Sequence, residues 1–118
     1  MIEQTNRSPA RDPQDLERLL IDRQHIGDVE GMVALFEPQA VVDCGESRFL
    51  HGHHEIRRYF AEVVARGAQQ PALICGDLAL TSARLPDGSV TAEVARRQSD
   101  DAWLWAIDRY TIATEQRS

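Results

Sequence analysis

The strongest constraint on the fold is a change of period partway along the chain. Up to Gly67 apolar residues recur at helical spacing; from Leu73 onward they lie in long extended runs. Three such runs follow one another: LICGDLALTSARL at 73–85, SVTAEVARRQ at 89–98 and WLWAIDRYTIAT at 103–114. PDG at 86–88 divides the first two and SDDA at 99–102 the last two, both turn signals with a physical basis in backbone freedom and side-chain capping. Strands joined by turns this short pair antiparallel. Helices followed by such a meander make an α+β pattern.

The helical half is punctuated as clearly. Asp12 can cap a first helix, Pro13 suits its first position, and Leu16, Leu19 and Leu20 give it an apolar stripe that ends at Gly27. Asp28 caps a second helix with Val29, Met32, Val33 and Phe36 on one side and Pro38 as its stop. AVVDC at 40–44 reads as a short strand, GESR as a turn and FLH as a brief return strand. A third helix runs from about His53 to Arg66, carrying Ile56, Tyr59, Phe60, Val63 and Val64. Residues 1–11 read as a flexible polar tail and 12–118 as a single domain, the size that 118 residues support.

Charge narrows the partners. With 13 basic and 19 acidic residues the net charge is −6, which argues against nucleic acid and against an anionic membrane surface. No apolar run nears the roughly 20 residues that span a bilayer, and the N-terminus lacks the apolar core of a secretory signal. Cys44 and Cys75 have no CxxC spacing, so free thiols and a cytoplasmic setting are expected.

HGHHEIRRYF at 51–60 raises the question of a metal site. The HExxH zinc pattern fails, because Arg58 stands where the second histidine is required. His53 and His54 diverge by about 100° on a helix. A helix start, with Gly52 in the turn and Glu55 at the positive end of the dipole, is the better reading, and no metal or other cofactor is expected.

The order of Gly27-Asp28, Phe36, Asp43, Gly52 and Trp103 within GDVEGMVALFEPQAVVDCG, HGHHEIRRYF and WLWAID resembles the nuclear transport factor 2-like superfamily, in its SnoaL-like (polyketide cyclase-like) branch. The resemblance spans 12–112. It implies a cone: a curved antiparallel sheet wrapped around three N-terminal helices, enclosing a pocket. It implies a small apolar organic ligand, isomerase-, cyclase- or dehydratase-type acid–base chemistry, and a homodimer through the outer sheet face. Non-catalytic transport and assembly domains share the fold, which therefore does not decide the activity. A ketosteroid isomerase pattern fits poorly. Its general base aligns with Cys44, one residue past Asp43, and its first-helix tyrosine with Leu20. The dehydratases' first-helix acid aligns with His25.

His25, Asp43 and Asp108 are therefore the acid–base candidates, and Cys44, Tyr59, Trp103 and Trp105 the ligand-contacting ones. Alternation puts Trp103, Trp105, Ile107 and Arg109 on one face of the last strand, with Leu104, Ala106, Asp108 and Tyr110 on the other. Which face looks inward is open. Arg96 or Arg97 is the expected partner of Asp108, and the charges of TAEVARRQSDD are expected on a solvated face. Two functional classes follow: a small-molecule pocket protein, or a non-catalytic dimeric ligand-binding or assembly domain.

Overall fold

Leu16, Leu19 and Leu20 bury one stripe of helix α1 (Asp15–His25), with Pro13 buried in the turn before it. The computed structural model describes residues 7–45, 47–62 and 68–112, the side chains at 68, 69 and 110–112 excepted. Asp12 closes a turn ahead of the helix, its carboxylate accepting from the Gln14 N–H at 3.0 Å. Asp28 caps helix α2 (Val29–Val33) by accepting from the Gly31 N–H at 3.0 Å. Gly31 has no alternative: a Cβ there would stand 2.1 Å from the Asp28 carboxylate.

Phe36 leaves the helical stripe expected of it and opens strand β1 (Phe36–Asp43). Pro38 accordingly sits inside a strand, where it is exposed. Strand β2 (Phe49–His51) returns beside β1 and leads into helix α3 (Gly52–Phe60). The Val63–Val64 part of the expected third helix lies outside the described residues. The histidine cluster resolves as a helix start. Glu55 accepts from the His51 N–H at 2.8 Å, and His53 Nε2 lies 2.7 Å from the Phe36 carbonyl oxygen.

The first long run is not one strand. It divides into strands β4 (Leu73–Cys75), β5 (Leu78–Thr81) and β6 (Ala83–Arg84), after a two-residue strand β3 (Ala68–Gln69). Gly76, at φ +61°, takes the first place of a two-residue hairpin turn between Cys75 and Leu78. A glycine inside an otherwise strand-like run was the available signal. Strands β7 (Val90–Arg97) and β8 (Trp103–Ile112) follow as expected. The sheet order is β2-β1-β8-β7-β5-β4, with β6 pairing β7 and β3. One pair departs from the antiparallel expectation: β1 runs parallel to β8, so the sheet is mixed. The parallel partner comes from the helical half, where no hairpin constrains direction.

The three helices cover one face of this sheet, which makes the chain α+β as expected. Phe36, Trp105, Phe60, Leu16, Met32, Leu35 and Ile56 form the center of the core. Phe36 packs on Trp105 at 5.1 Å and on Phe60 at 5.9 Å between ring centroids. The polar tail is docked from Arg7 onward. Arg7 pairs with Asp28 at 2.6 Å, and buried Ala10 accepts from the Trp103 N–H at 2.8 Å.

Candidate active site

A β-bulge decides what faces the helices. Between β7 and β8 the register steps from Val94↔Ile107 to Ala95↔Trp105, leaving Ala106 as an extra residue on β8. Strict alternation places the tryptophans and Asp108 on opposite faces. The bulge resets the phase, so Trp103, Trp105 and Asp108 are all buried while Ile107 and Arg109 are exposed.

Beyond the bulge, cross-strand neighbors form a buried row: Leu50, Val42, Asp108, Glu93 and Thr81. Asp108 and Glu93 are directly opposite partners on β8 and β7, a spacing that brings Cβ atoms to about 5 Å. Trp105 Nε1–H donates to Thr81 Oγ at 2.9 Å, and Thr81 donates its one hydroxyl proton to Glu93 Oε1 at 2.5 Å. Thr91 is buried on the same face, its hydroxyl oxygen accepting from the Ala83 N–H at 2.9 Å. Glu17 on α1 is also buried, beside the leucine stripe. Asp108 Oδ1 is buried with no hydrogen-bond partner among the described residues.

Three carboxyl groups in a dry interior cannot all be ionized. Burial pushes Asp108 well above its ordinary range, and Glu93, Glu17 and Asp43 add to the rise. Burial lifts Glu93 to about 7, with the Thr81 and Thr91 hydroxyls working against the rise. Burial, then the neighboring charge of Glu93, lifts Glu17 to about 7. Burial thus holds Asp108 toward its protonated form, while the Thr81 hydroxyl favors the ionized form of Glu93. One row presents an acid beside a base.

The sequence candidates separate. Of the acid–base three, only Asp108 faces the interior. His25 is exposed in the last turn of α1. Asp43 points to the outer face, where Arg109 donates to it at 3.0 Å and the Gly45 N–H at 2.9 Å. The bulge explains why Asp108 shares the inner face with the tryptophans; Asp43 and Arg109, one register step along from Val42 and Asp108, fall on the outer face by alternation. Neither expected arginine reaches Asp108: Arg96 pairs with Glu37 at 2.8 Å and Arg97 with Asp77. Trp103 and Trp105 are core, and Tyr59 is buried edge-on to Phe60 at 5.6 Å. Cys44 is half-buried against the core near Asp108, its thiol pushed up by burial. Glu17 and Glu93 were missed. Glu93 was expected on a solvated face, yet Thr91, Glu93 and Ala95 turn inward. For Glu17 the signal was its place three residues before Leu20 and six before Arg23, all buried.

No protein-family model and no curated protein matches the chain; the likeness is carried by structure. The Mycobacterium tuberculosis protein Rv3472, of unknown function, superposes with a TM-score of 0.67 at 18% identity, over 86% of this chain and 70% of that one. A ketosteroid isomerase-like protein from Erwinia carotovora atroseptica gives 0.65 at 12% identity, over 86% and 94%. A nuclear transport factor 2-like protein with a cystatin-like fold from Novosphingobium aromaticivorans gives 0.64 at 15%, over 81% and 76%. The chain has the nuclear transport factor 2-like fold. Among the described residues no helix is long and apolar enough to cross a membrane.

Proposed function

We propose that the inner face of the sheet receives a small organic molecule and performs cofactor-independent acid–base chemistry on it, of the isomerase or dehydratase kind. The observation that carries this reading is the buried Asp108 Oδ1, without a hydrogen-bond partner among the described residues and set opposite Glu93. Carboxyl groups whose environments hold their proton affinities apart are the usual mark of an acid and a base in one site. Glu93 would take a proton from carbon beside a carbonyl. Asp108 would donate its hydrogen to the carbonyl oxygen, or to a departing hydroxyl, which leaves as water. The likeness to a ketosteroid isomerase-like protein supports the fold of this reading and not its substrate.

The test is turnover of a panel of β,γ-unsaturated and β-hydroxy ketones by wild type, Asp108→Asn and Glu93→Gln. Each substitution should lower kcat by roughly a hundredfold or more while the circular dichroism spectrum is kept. Wild-type turnover by both variants sinks the reading.

A second reading, a dimeric assembly domain, is favored by the outer face of the sheet. Val41, Ile107, Val94, Leu80 and Leu73 form an apolar row across five strands. A groove of about 360 Å³ runs between Phe49, Val41, Ile107 and Leu80. Apolar surface this continuous marks a site of association, and a second copy of the chain is the partner we propose. Sedimentation velocity decides between monomer and dimer. The two readings use opposite faces of the sheet and meet at Asp108, which also lines the groove.

A further inference from the structure

A cavity of about 250 Å³ opens between strand β2 and helix α3, away from the inner row, and its walls are charged: Arg48, Phe49, Leu50, Glu55, Arg58 and Glu62 line it. Glu55, Arg58 and Glu62 stand three and four residues apart, so one wall is a single face of α3 and the turn after it. Arg48 and Phe49 lead into and open β2, so the other wall belongs to the sheet. The Arg48 guanidinium lies over the Tyr59 ring, 5.7 Å from its centroid. Glu55 is held as well, accepting from the His51 N–H at 2.8 Å. Elsewhere arginines find carboxylates: Arg57 pairs with Glu30, Arg96 with Glu37 and Arg109 with Asp43. Arg48, Arg58 and Glu62 make no hydrogen bond or ion pair among the described residues, although Arg58 and Glu62 have the spacing that pairs opposite charges on a helix.

We propose that this cleft binds a free α-amino acid with an apolar side chain. Arg48 and Arg58 take its carboxylate, Glu62 takes its ammonium group, and Phe49 packs on its side chain. Charge decides the class. Two cations and two anions line the cavity, so a ligand with a single charge of either sign meets a like charge as well as an opposite one. A zwitterion with its carboxylate toward the arginines meets opposite charges at both ends. The planar guanidinium fork matches a carboxylate. Glu55 is engaged by the His51 N–H, which leaves Glu62 as the acceptor for the ammonium group. Phe49 is 50% exposed and supplies an apolar surface. The volume falls below the roughly 300–1,000 Å³ of pockets for drug-sized ligands, so the occupant is small. The cleft shares no residue with the Asp108–Glu93 row, and its occupancy is independent of the chemistry proposed there.

L-Phenylalanine, 3-phenylpropionate and phenethylamine share one carbon skeleton; the second lacks the ammonium group and the third lacks the carboxylate. Titration calorimetry at about pH 7 and low salt should show phenylalanine binding roughly tenfold more tightly than either. Arg58→Gln should bring phenylalanine down to the level of phenethylamine, and Glu62→Gln to the level of 3-phenylpropionate. Both side chains are exposed, so both variants should keep the wild-type circular dichroism spectrum and any turnover of neutral ketones. Equal affinity for the three probes, no binding of phenylalanine, or wild-type phenylalanine affinity in either variant overturns the proposal. None of these results touches the acid–base reading, which Asp108→Asn and Glu93→Gln test separately.

Discussion

Two rows of side chains cross the sheet one residue apart, and each carries what the other is expected to hold. The inner row, Leu50, Val42, Asp108, Glu93 and Thr81, turns polar under the helices. The outer row, Val41, Ile107, Val94, Leu80 and Leu73, is apolar, with Ile107 54% and Leu73 67% exposed. An ordinary sheet packed on one side reads apolar inward and polar outward. Both reversals cost stability in the isolated chain, so each row is short of a partner. Inside, the shortage is of charge and hydrogen bonds; outside, it is of covering surface.

The largest effect tests where the inner face stops being core and starts being site. Trp105 lies one row from Asp108, is 1% exposed, packs on Phe36 and holds Thr81. Trp105→Ala should cost about 3–5 kcal/mol in urea unfolding. A loss under about 1 kcal/mol would mean that the tryptophan row is itself part of an open cavity.

Next in size is the pH dependence of the polar row. Glu17 and Glu93, raised from 4.5 to about 7, hold protons when folded that they release on unfolding in that window. Their contribution is complete below the ordinary carboxylate value and is lost as pH rises through about 7. For Glu93 the shift corresponds to on the order of 3 kcal/mol. Thermal midpoints should therefore climb by several degrees from about pH 8 to about pH 5. At lower pH Asp28 and Glu37 reverse the trend: burial pushes both up, but Arg7 and Arg96 pull them further down, so protonating them costs stability. Asp108→Asn removes one acid from the row and should flatten the neutral slope, raising the midpoint at about pH 8 most. An unchanged slope would place the titrating groups elsewhere.

The inner row was harder to read from sequence than the fold around it, for a local reason. Asp28, the PDG turn and the SDDA turn announce themselves through chemistry that acts within four residues, and all three stand where expected: Asp28 accepts from Gly31, Leu85 donates to Ser89 at 2.8 Å across the PDG turn, and Gln98 donates to Ala102 at 2.7 Å across the SDDA turn. Asp108's orientation depends on the extra residue Ala106, and nothing in WLWAID marks a bulge. It becomes visible only through the register with β7. Glu93 was hidden because VTAEVA alternates small or apolar residues on both faces, so either face reads as buried. Glu17 sat beside a leucine stripe wide enough without it.

The outer row gives a third, smaller effect on stability and a large one on assembly. Leu80→Lys with Ile107→Lys puts charges into the middle of the apolar face. Both residues are exposed, at 45% and 54%, so monomer stability should change by under about 1 kcal/mol. Sedimentation should shift from dimer to monomer across the micromolar range. A wild type that sediments as a monomer at all concentrations removes the second copy as the partner of this face.

The smallest effect sharpens the comparison most, because it sets two aspartates on adjacent strands against each other. Asp43 is the register partner of Arg109 and pairs with it on the outer face, one residue along from Val42↔Asp108. The Arg109 side chain is 61% exposed, so water screens the pair and its worth is under about 1 kcal/mol. Asp43→Asn also keeps an oxygen to accept from the Gly45 N–H. It should therefore leave stability within about 0.5 kcal/mol, the pH slope unchanged and any turnover intact. Asp108→Asn, a single strand away, should change all three. If the two substitutions behaved alike, the two faces of β8 would not be separating a solvated ion pair from a buried acid, and the inner row would lose its claim to be a site.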